Sequence, residues 1–279
     1  QHSHNYHRYE NGLDRSQYCY IFHGTGPFSI YLVLIVLWAW TSFFLSAKRI
    51  HYGHYGDCRS IWCVLAFAIY STYGYAMSFA DSADALIEAG RILHDKGWVP
   101  ATSGNFSMRL DGEEMAITVS GWHKGELTRE GIMRADLSGN SLEESKKPSA
   151  ETVLHCQLYR RFPDIGAILH THSMNATLIS RLYHNEVKLE DYELLKAFPG
   201  VTTHESTMTV PVLANDQDIP RLARHVDEYM DSHPPVHGYL IAGHGLYTWG
   251  RDLKQTMRHL EAFEFLFACE LKLREVEKP

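Results

Sequence analysis

The densest chemistry in the sequence lies at His170-Thr171-His172. In a strand, residues i and i+2 leave the same face with backbones about 6.6–7 Å apart, so two imidazoles can converge on one ion at about 2.0–2.1 Å. Alone this is a weak signal, because twelve histidines follow residue 76 and most histidines serve ordinary surface or core roles. A third one, His244, stands between two glycines in Ala242-Gly243-His244-Gly245-Leu246-Tyr247, where the backbone can turn and aim an imidazole into a cavity. Three neutral imidazoles with an open position form the ligand set of a catalytic rather than a structural zinc. A metal polarises a substrate oxygen, but proton transfer needs a carboxylate, and two stand out. Glu151 follows Pro148-Ser149-Ala150 and reads as part of a first helical turn, where an acid complements the helix dipole without any catalytic task. Glu193, in Tyr192-Glu193-Leu194-Leu195-Lys196, reads equally as a solvated helix residue paired with a lysine. For either acid alone, the local sequence favours the plain reading.

Two small-polar loops supply another kind of chemistry: Thr102-Ser103-Gly104-Asn105 and Ser120-Gly121-Trp122-His123-Lys124-Gly125, with Ser149 as a helix N-cap. Backbone N–H groups, hydroxyls and one lysine could cradle a phosphate. Singly, each is more commonly a turn or capping residue. Neither loop has the glycine spacing of a nucleotide-binding loop, which argues against a nucleotide cofactor.

The elements that must position these groups follow from period and punctuation. Ser82 to Lys96 carries Leu86, Ala89, Gly90 and Leu93 on one stripe and stops at Gly97, as an amphipathic helix does. Asn105 to Leu110 and Met115 to Ser120 read as strands across an Asp111-Gly112 turn. Ser149 opens a helix through Val153, Leu154, Leu158 and Phe162, ending before Pro163; Ile165 to His170 is a buried-looking strand. Met208 to Leu213 and Gly238 to Ala242 are further strands, Asp218 to Asp231 a helix, and Asp252 to Val276 a long amphipathic helix. Strands and helices without regular βαβ alternation indicate an α/β sheet with antiparallel pairs and helices on its faces.

The chain of 279 residues is 45% hydrophobic and 21% charged, with a net charge of −7, which excludes disordered and fibrous classes and disfavours nucleic-acid binding. The five cysteines have no paired spacing, so no disulfide framework or thiolate zinc site is expected, and reduced thiols in a cytosolic setting fit best. Residues 1–76 differ from the rest: they hold three acidic residues, five basic ones and no methionine, and all eight methionines fall at or after Met77. Phe28 to Ala47 is uncharged and long enough to span a bilayer, and Ser60 to Ala80 is a second uncharged run, diluted by Ser71, Thr72, Gly74 and tyrosines. Against a membrane hairpin, residues 1–24 have no helical or strand period and no cleavable signal is apparent. The composition favours an extension translated upstream of the true start, with Met77 as initiator, and one soluble domain at 77–279.

Taken together, Ser103-Gly104-Asn105, Ser120-Gly121, Pro148-Ser149-Ala150-Glu151, His170-Thr171-His172 and Gly243-His244-Gly245 resemble, in order and spacing, the class II aldolase and adducin-like superfamily over essentially all of 77–279. More narrowly, Lys96-Gly97-Trp98, Gly121-Trp122-His123-Lys124-Gly125, Tyr192-Glu193-Leu194-Leu195-Lys196-Ala197 and His244-Gly245-Leu246-Tyr247-Thr248-Trp249-Gly250 are similar to its methylthioribulose-1-phosphate dehydratase branch, and residues 1–76 have no counterpart there. The resemblance implies a three-layer α/β/α fold with a largely antiparallel central sheet, assembled as a cytoplasmic homotetramer with the site near a subunit boundary. It implies one Zn2+ per subunit on His170, His172 and His244, with Glu193 as catalytic acid/base. Glu151 matches a carboxylate that the aldolases use beside the metal. Asn105, Ser120, Gly121 and Ser149 would face the phosphate of a small phosphorylated ketose, with neither nucleic acid nor membrane as partner.

The chemistry so implied is dehydration in methionine salvage. Zinc would acidify the C3–H bond and stabilise the enediolate, while Glu193 would take that proton or deliver it to the departing C4 hydroxyl. An aldolase or a ribulose-phosphate 4-epimerase uses the same ligands, so the ligands alone do not separate these outcomes. An adducin-head-like binding module is the non-enzyme alternative, against which the three histidines argue.

Overall fold

The computed structural model describes residues 77–276. The expectations for residues 1–76, including the hairpin through Phe28 to Ala47, lie outside the described residues. Among those described, no helix is long and apolar enough to cross a membrane.

The chain enters at Ser78, whose Oγ accepts the Asp81 N–H at 3.2 Å and caps helix α1 (Phe79–Asp95). Strands β1 (Asn105–Arg109) and β2 (Glu114–Thr118) form the expected hairpin, and β3 (Ile132–Asp136) extends it. Helix α2 (Thr152–Arg161), strand β4 (Ala167–Thr171), helix α3 (Met174–Leu182) and strand β5 (Glu186–Glu190) follow. The chain continues through β6 (Thr207–Leu213), α4 (Ile219–Ser232), β7 (Gly238–Ile241), β8 (Gly245–Gly250) and α5 (Leu253–Val276). The eight strands lie in the order β3-β2-β1-β4-β8-β7-β6-β5. Every neighbouring pair is antiparallel except β6 with β7, which α4 connects as a crossover.

Period-2 alternation along the strands sorts the core into two layers. Phe106, Ala116, Leu169, Leu240 and Leu246 face α1, α3 and α5, packing on Leu86, Ile179 and Phe263. Ile117, Ile168, Tyr239 and Trp249 face α2 and α4, packing on Leu158 and Leu222. The fold is therefore the three-layer α/β/α arrangement with a mostly antiparallel sheet.

Four elements have no counterpart among the sequence expectations: β3, β5, β8 and α3. β8 begins and ends on glycine, which reads as loop punctuation. β5 exposes Lys188 and Glu190 and buries only Val187 and Leu189, giving too short a pattern to stand out.

Candidate active site

His170 is the penultimate residue of β4, directly between Asn105 on β1 and Tyr247 on β8. Its ring is fully buried and stacks on that of Tyr247, with centroids 3.9 Å apart and planes at 11°. His170 Nδ1 lies 3.0 Å from the carbonyl oxygen of Leu246. A carbonyl only accepts, so the proton sits on Nδ1 and the Nε2 lone pair is free. His172 follows the end of β4, and its backbone N–H is held 3.0 Å from the Trp98 carbonyl. His244 occupies the turn between β7 and β8. That turn can close on β4 only because residue 245 is glycine: a Cβ there would lie 2.0 Å from the Thr171 carbonyl oxygen.

The three Nε2 atoms converge. His172 to His170 is 2.8 Å, His244 to His172 is 3.0 Å and His170 to His244 is 3.3 Å. Glu151 Oε1 joins them, 3.0 Å from His244 Nε2 and 3.8 Å from His170 Nε2. Ligand nitrogens at about 2.0–2.1 Å from a tetrahedral ion stand roughly 3.3 Å apart, so the triangle is close to the one zinc requires. Burial, helped by the neighbouring histidines, keeps His170 well below the ordinary imidazole range and brings His172 down to about 4. These two rings are thus neutral, as ligands must be. Burial alone would raise the Glu151 carboxyl, but the His244 hydrogen bond and the nearby imidazoles outweigh it and hold the group ionised. Three imidazoles and one carboxylate packed this closely fit a divalent cation.

Beside this cluster lies a polar cavity of about 250 Å³. All four residues expected to face a phosphate line it: Asn105, Ser120, Gly121 and Ser149. Glu151 and His172 form the wall it shares with the histidine cluster. Gly104 contributes through its backbone, with φ +77, and a Cβ there would stand 2.6 Å from the His170 carbonyl oxygen. The buried Ser103 Oγ has no hydrogen-bond partner among the described residues. The cavity also holds Lys124, whose Nζ donates to the carbonyls of Trp122 at 2.7 Å and Thr102 at 3.0 Å. Burial pushes this lysine down to about 8, against the opposing pull of Glu151. A third N–H of the ammonium remains for a ligand. A larger hollow of about 760 Å³ between α3 and α5 has aliphatic walls such as Leu178 and Leu271 and none of the three histidines, so size does not locate the chemistry.

Two local expectations change. Ser149 is not the N-cap of α2: its Oγ accepts the Glu151 N–H at 3.3 Å in a turn before the helix. Glu151 takes the capping position with no side-chain cap bond, because its carboxylate points to Asn105 and the histidines. Asn105 is 3% exposed, and its side-chain amide is engaged by Glu151 and His155.

Glu193 is not brought to this cluster within the chain. It lies in a short 3-10 helix (Glu193–Ala197), its side chain 73% exposed, 2.7 Å from Lys196 and 3.8 Å from His204 Nδ1. The Lys196 hydrogen bond lowers its carboxyl, and none of the three clustered histidines contributes to that shift.

The profile of the class II aldolase and adducin N-terminal domain matches residues 84–271. The methylthioribulose-1-phosphate dehydratase of Pseudomonas syringae pv. tomato is 57% identical over 201 residues, 72% of this chain and 98% of that protein. The protein of that name from Pseudomonas aeruginosa is 56% identical over 194 residues, 69% of this chain and 95% of its own. Among solved structures, L-fuculose-1-phosphate aldolase from Thermus thermophilus is 27% identical with a TM-score of 0.59, over 72% of this chain and all of that one.

Proposed function

The chain belongs to the class II aldolase and adducin family, and from that premise we propose that it is a zinc-dependent lyase. It dehydrates 5-methylthioribulose 1-phosphate to 2,3-diketo-5-methylthiopentyl 1-phosphate, a step of methionine salvage in the cytoplasm. One observation carries the reading: three imidazole nitrogens and a carboxylate converge on the wall of a small polar cavity. The choice of dehydratase over aldolase rests on the relatives at 56–57% identity that bear the dehydratase name, against 27% for the aldolase.

His170, His172 and His244, with Glu151 beside them, would hold the ion. When bound, it supplies a Lewis acid that polarises the C2 carbonyl and acidifies the C3–H bond. The remaining work falls to the chain. Ser120, Ser149 and the Gly121 backbone, with the free hydroxyl of Ser103, hold the phosphate in the 250 Å³ cavity. Lys124 sets one positive charge against it. Anchoring the phosphate fixes C3 and C4 relative to the histidines. Glu193 moves the proton, taking it from C3 or giving it to the leaving C4 hydroxyl. Water departs, and the enol left behind tautomerises to the 2,3-diketone. Because Glu193 is exposed and apart from the cluster of its own chain, it serves the site of a neighbouring subunit in a homotetramer.

The test is product analysis with methylthioribulose 1-phosphate against fuculose 1-phosphate and ribulose phosphate. Loss of water from the first alone is expected. Aldol cleavage products, or epimerisation of ribulose phosphate with no diketone, would overturn the assignment.

A further inference from the structure

Glu151, His155 and Tyr159 recur at four-residue intervals, so they occupy one stripe of α2 and of the turn that opens it. Asn105 and Ser107 alternate onto one face of β1, the face turned toward α2. The two stripes interlock. Asn105 Nδ2 donates to Glu151 Oε2 at 2.5 Å, and Asn105 Oδ1 meets His155 Nε2 in a short hydrogen bond. His155 Nδ1 lies 2.7 Å from Ser107 Oγ, which lies 2.9 Å from the Tyr159 hydroxyl. Asn105, Ser107, His155 and Tyr159 are all buried.

This chain of hydrogen bonds has a single polarity. An ionised carboxylate only accepts, so Asn105 must turn its NH2 to Glu151 and its oxygen to His155. That oxygen requires a proton on His155 Nε2. The ring is neutral, burial holding it down to about 3, so Nδ1 is bare and accepts the Ser107 hydroxyl proton. Ser107 Oγ then accepts from Tyr159. At the other end, Glu151 has Oε2 committed to Asn105 and Oε1 left on the histidines. A polar chain among Leu154, Leu158 and Ile168 costs more to bury than an apolar filling would, so packing alone does not account for it.

We infer that His155 is a positioning residue for the metal site: by fixing the Asn105 amide it fixes the Glu151 carboxylate, holding Oε1 on the three imidazoles. The inference rests on the metal reading given above.

The probe is Co2+, read by the visible absorption of the loaded full-length protein and by competition with a chelator. His155→Asn can reach Ser107 but not Asn105, and should weaken Co2+ binding by roughly 10–100-fold, the usual effect of losing a residue behind a ligand. It should also change the absorption band. His155→Gln, which returns an N–H near the place of Nε2, should regain most of the affinity. In a Glu151→Gln background, His155→Asn should cost almost nothing further, because its route to the ion is already cut; a merely structural role would cost the same in both backgrounds. Ser107→Ala, a smaller change, should weaken binding in the same direction and carries the test if His155→Asn does not fold. Co2+ affinity and spectrum like those of the parent in His155→Asn, or in Ser107→Ala in its place, would overturn the inference, as would additive losses with Glu151→Gln. A parent protein that takes up no Co2+ would overturn the metal reading and this inference with it.

Discussion

His170 is the residue on which the site turns, held between two strands, stacked on Tyr247 and fixed in one tautomer by the Leu246 carbonyl. Replacing it with alanine should remove both metal and turnover, because two imidazoles rarely retain a catalytic ion. Metal analysis of purified His170→Ala checks this, and full zinc occupancy there would dismiss the ligand assignment. Glu193→Gln should behave differently, keeping fold and zinc while turnover falls by about 10²–10⁴, the usual contribution of a positioned acid or base. A fall of that size for Glu151→Gln with Glu193→Gln unaffected would reverse the two roles. The histidines were legible in the sequence because a strand spacing of two and a glycine-flanked turn are local signals. Glu193 carried no such signal, since exposure and pairing with Lys196 look alike in a working residue and an idle one. His155 and Tyr159 were missed although Glu151-x3-His155-x3-Tyr159 marks a helical stripe. Its partners, Asn105 and Ser107, lie some fifty residues away, and only the packing of α2 on β1 reveals what the stripe is for.

Among the elements, α3 and α5 are tied together by a buried acid. Glu264 of α5 accepts from Ser173 Oγ at 2.5 Å and from Asn175 Nδ2 at 3.2 Å, and Ser173 is the N-cap of α3. No cation is paired with it among the described residues. Burial raises its carboxyl to about 7, against the lowering effect of Ser173 and Asn175. The folded state therefore keeps this proton over a pH range in which the unfolded chain releases it. The associated stability is fully present below the ordinary carboxyl value of 4.5 and is lost as pH rises to about 7. Relative to Glu264→Gln, which has no such titration, the parent should lose up to about 3 kcal/mol across that window. Thermal melts of the two proteins from pH 4 to 8 measure the difference, and parallel profiles would show the acid to be ionised throughout. None of this could be read from the sequence, where α3 itself went unseen: Ser173 looks like the tail of the histidine motif, although its Oγ caps the helix by accepting the Ala176 N–H at 3.0 Å. The hairpin β1–β2 and the long α5 were legible because turn residues and a 3.6-residue period are written locally. β8 was not, because its pairing with β4 depends on residues far back in the chain.

For the molecule as a whole, the separation of Glu193 from its own histidines makes a prediction about assembly. Co-refolding His170→Ala with Glu193→Gln should give more activity than either variant alone, because a mixed oligomer can place an intact Glu193 beside an intact cluster. Mixtures no more active than their components would mean that Glu193 serves its own chain or no site at all. A second expectation concerns length: protein 77–279 should match 1–279 in turnover and zinc content. A truncated chain that folds and binds zinc but has lost activity would give residues 1–76 a role.

The strand order also bears on how the chain is made. β8 is the last of the eight strands in sequence, yet it lies between β4 and β7 in the interior of the sheet. Until the ribosome has delivered it, β1–β4 and β5–β7 each present an unpaired edge where the other should join through β8, an open invitation to another nascent chain. The turn carrying His244 arrives just ahead of β8, so joining the two half-sheets also completes the histidine triad. A stalled or clipped product lacking β8 would leave the triad unassembled and an edge open to aggregation, which couples completion of the histidine cluster to completion of the sheet.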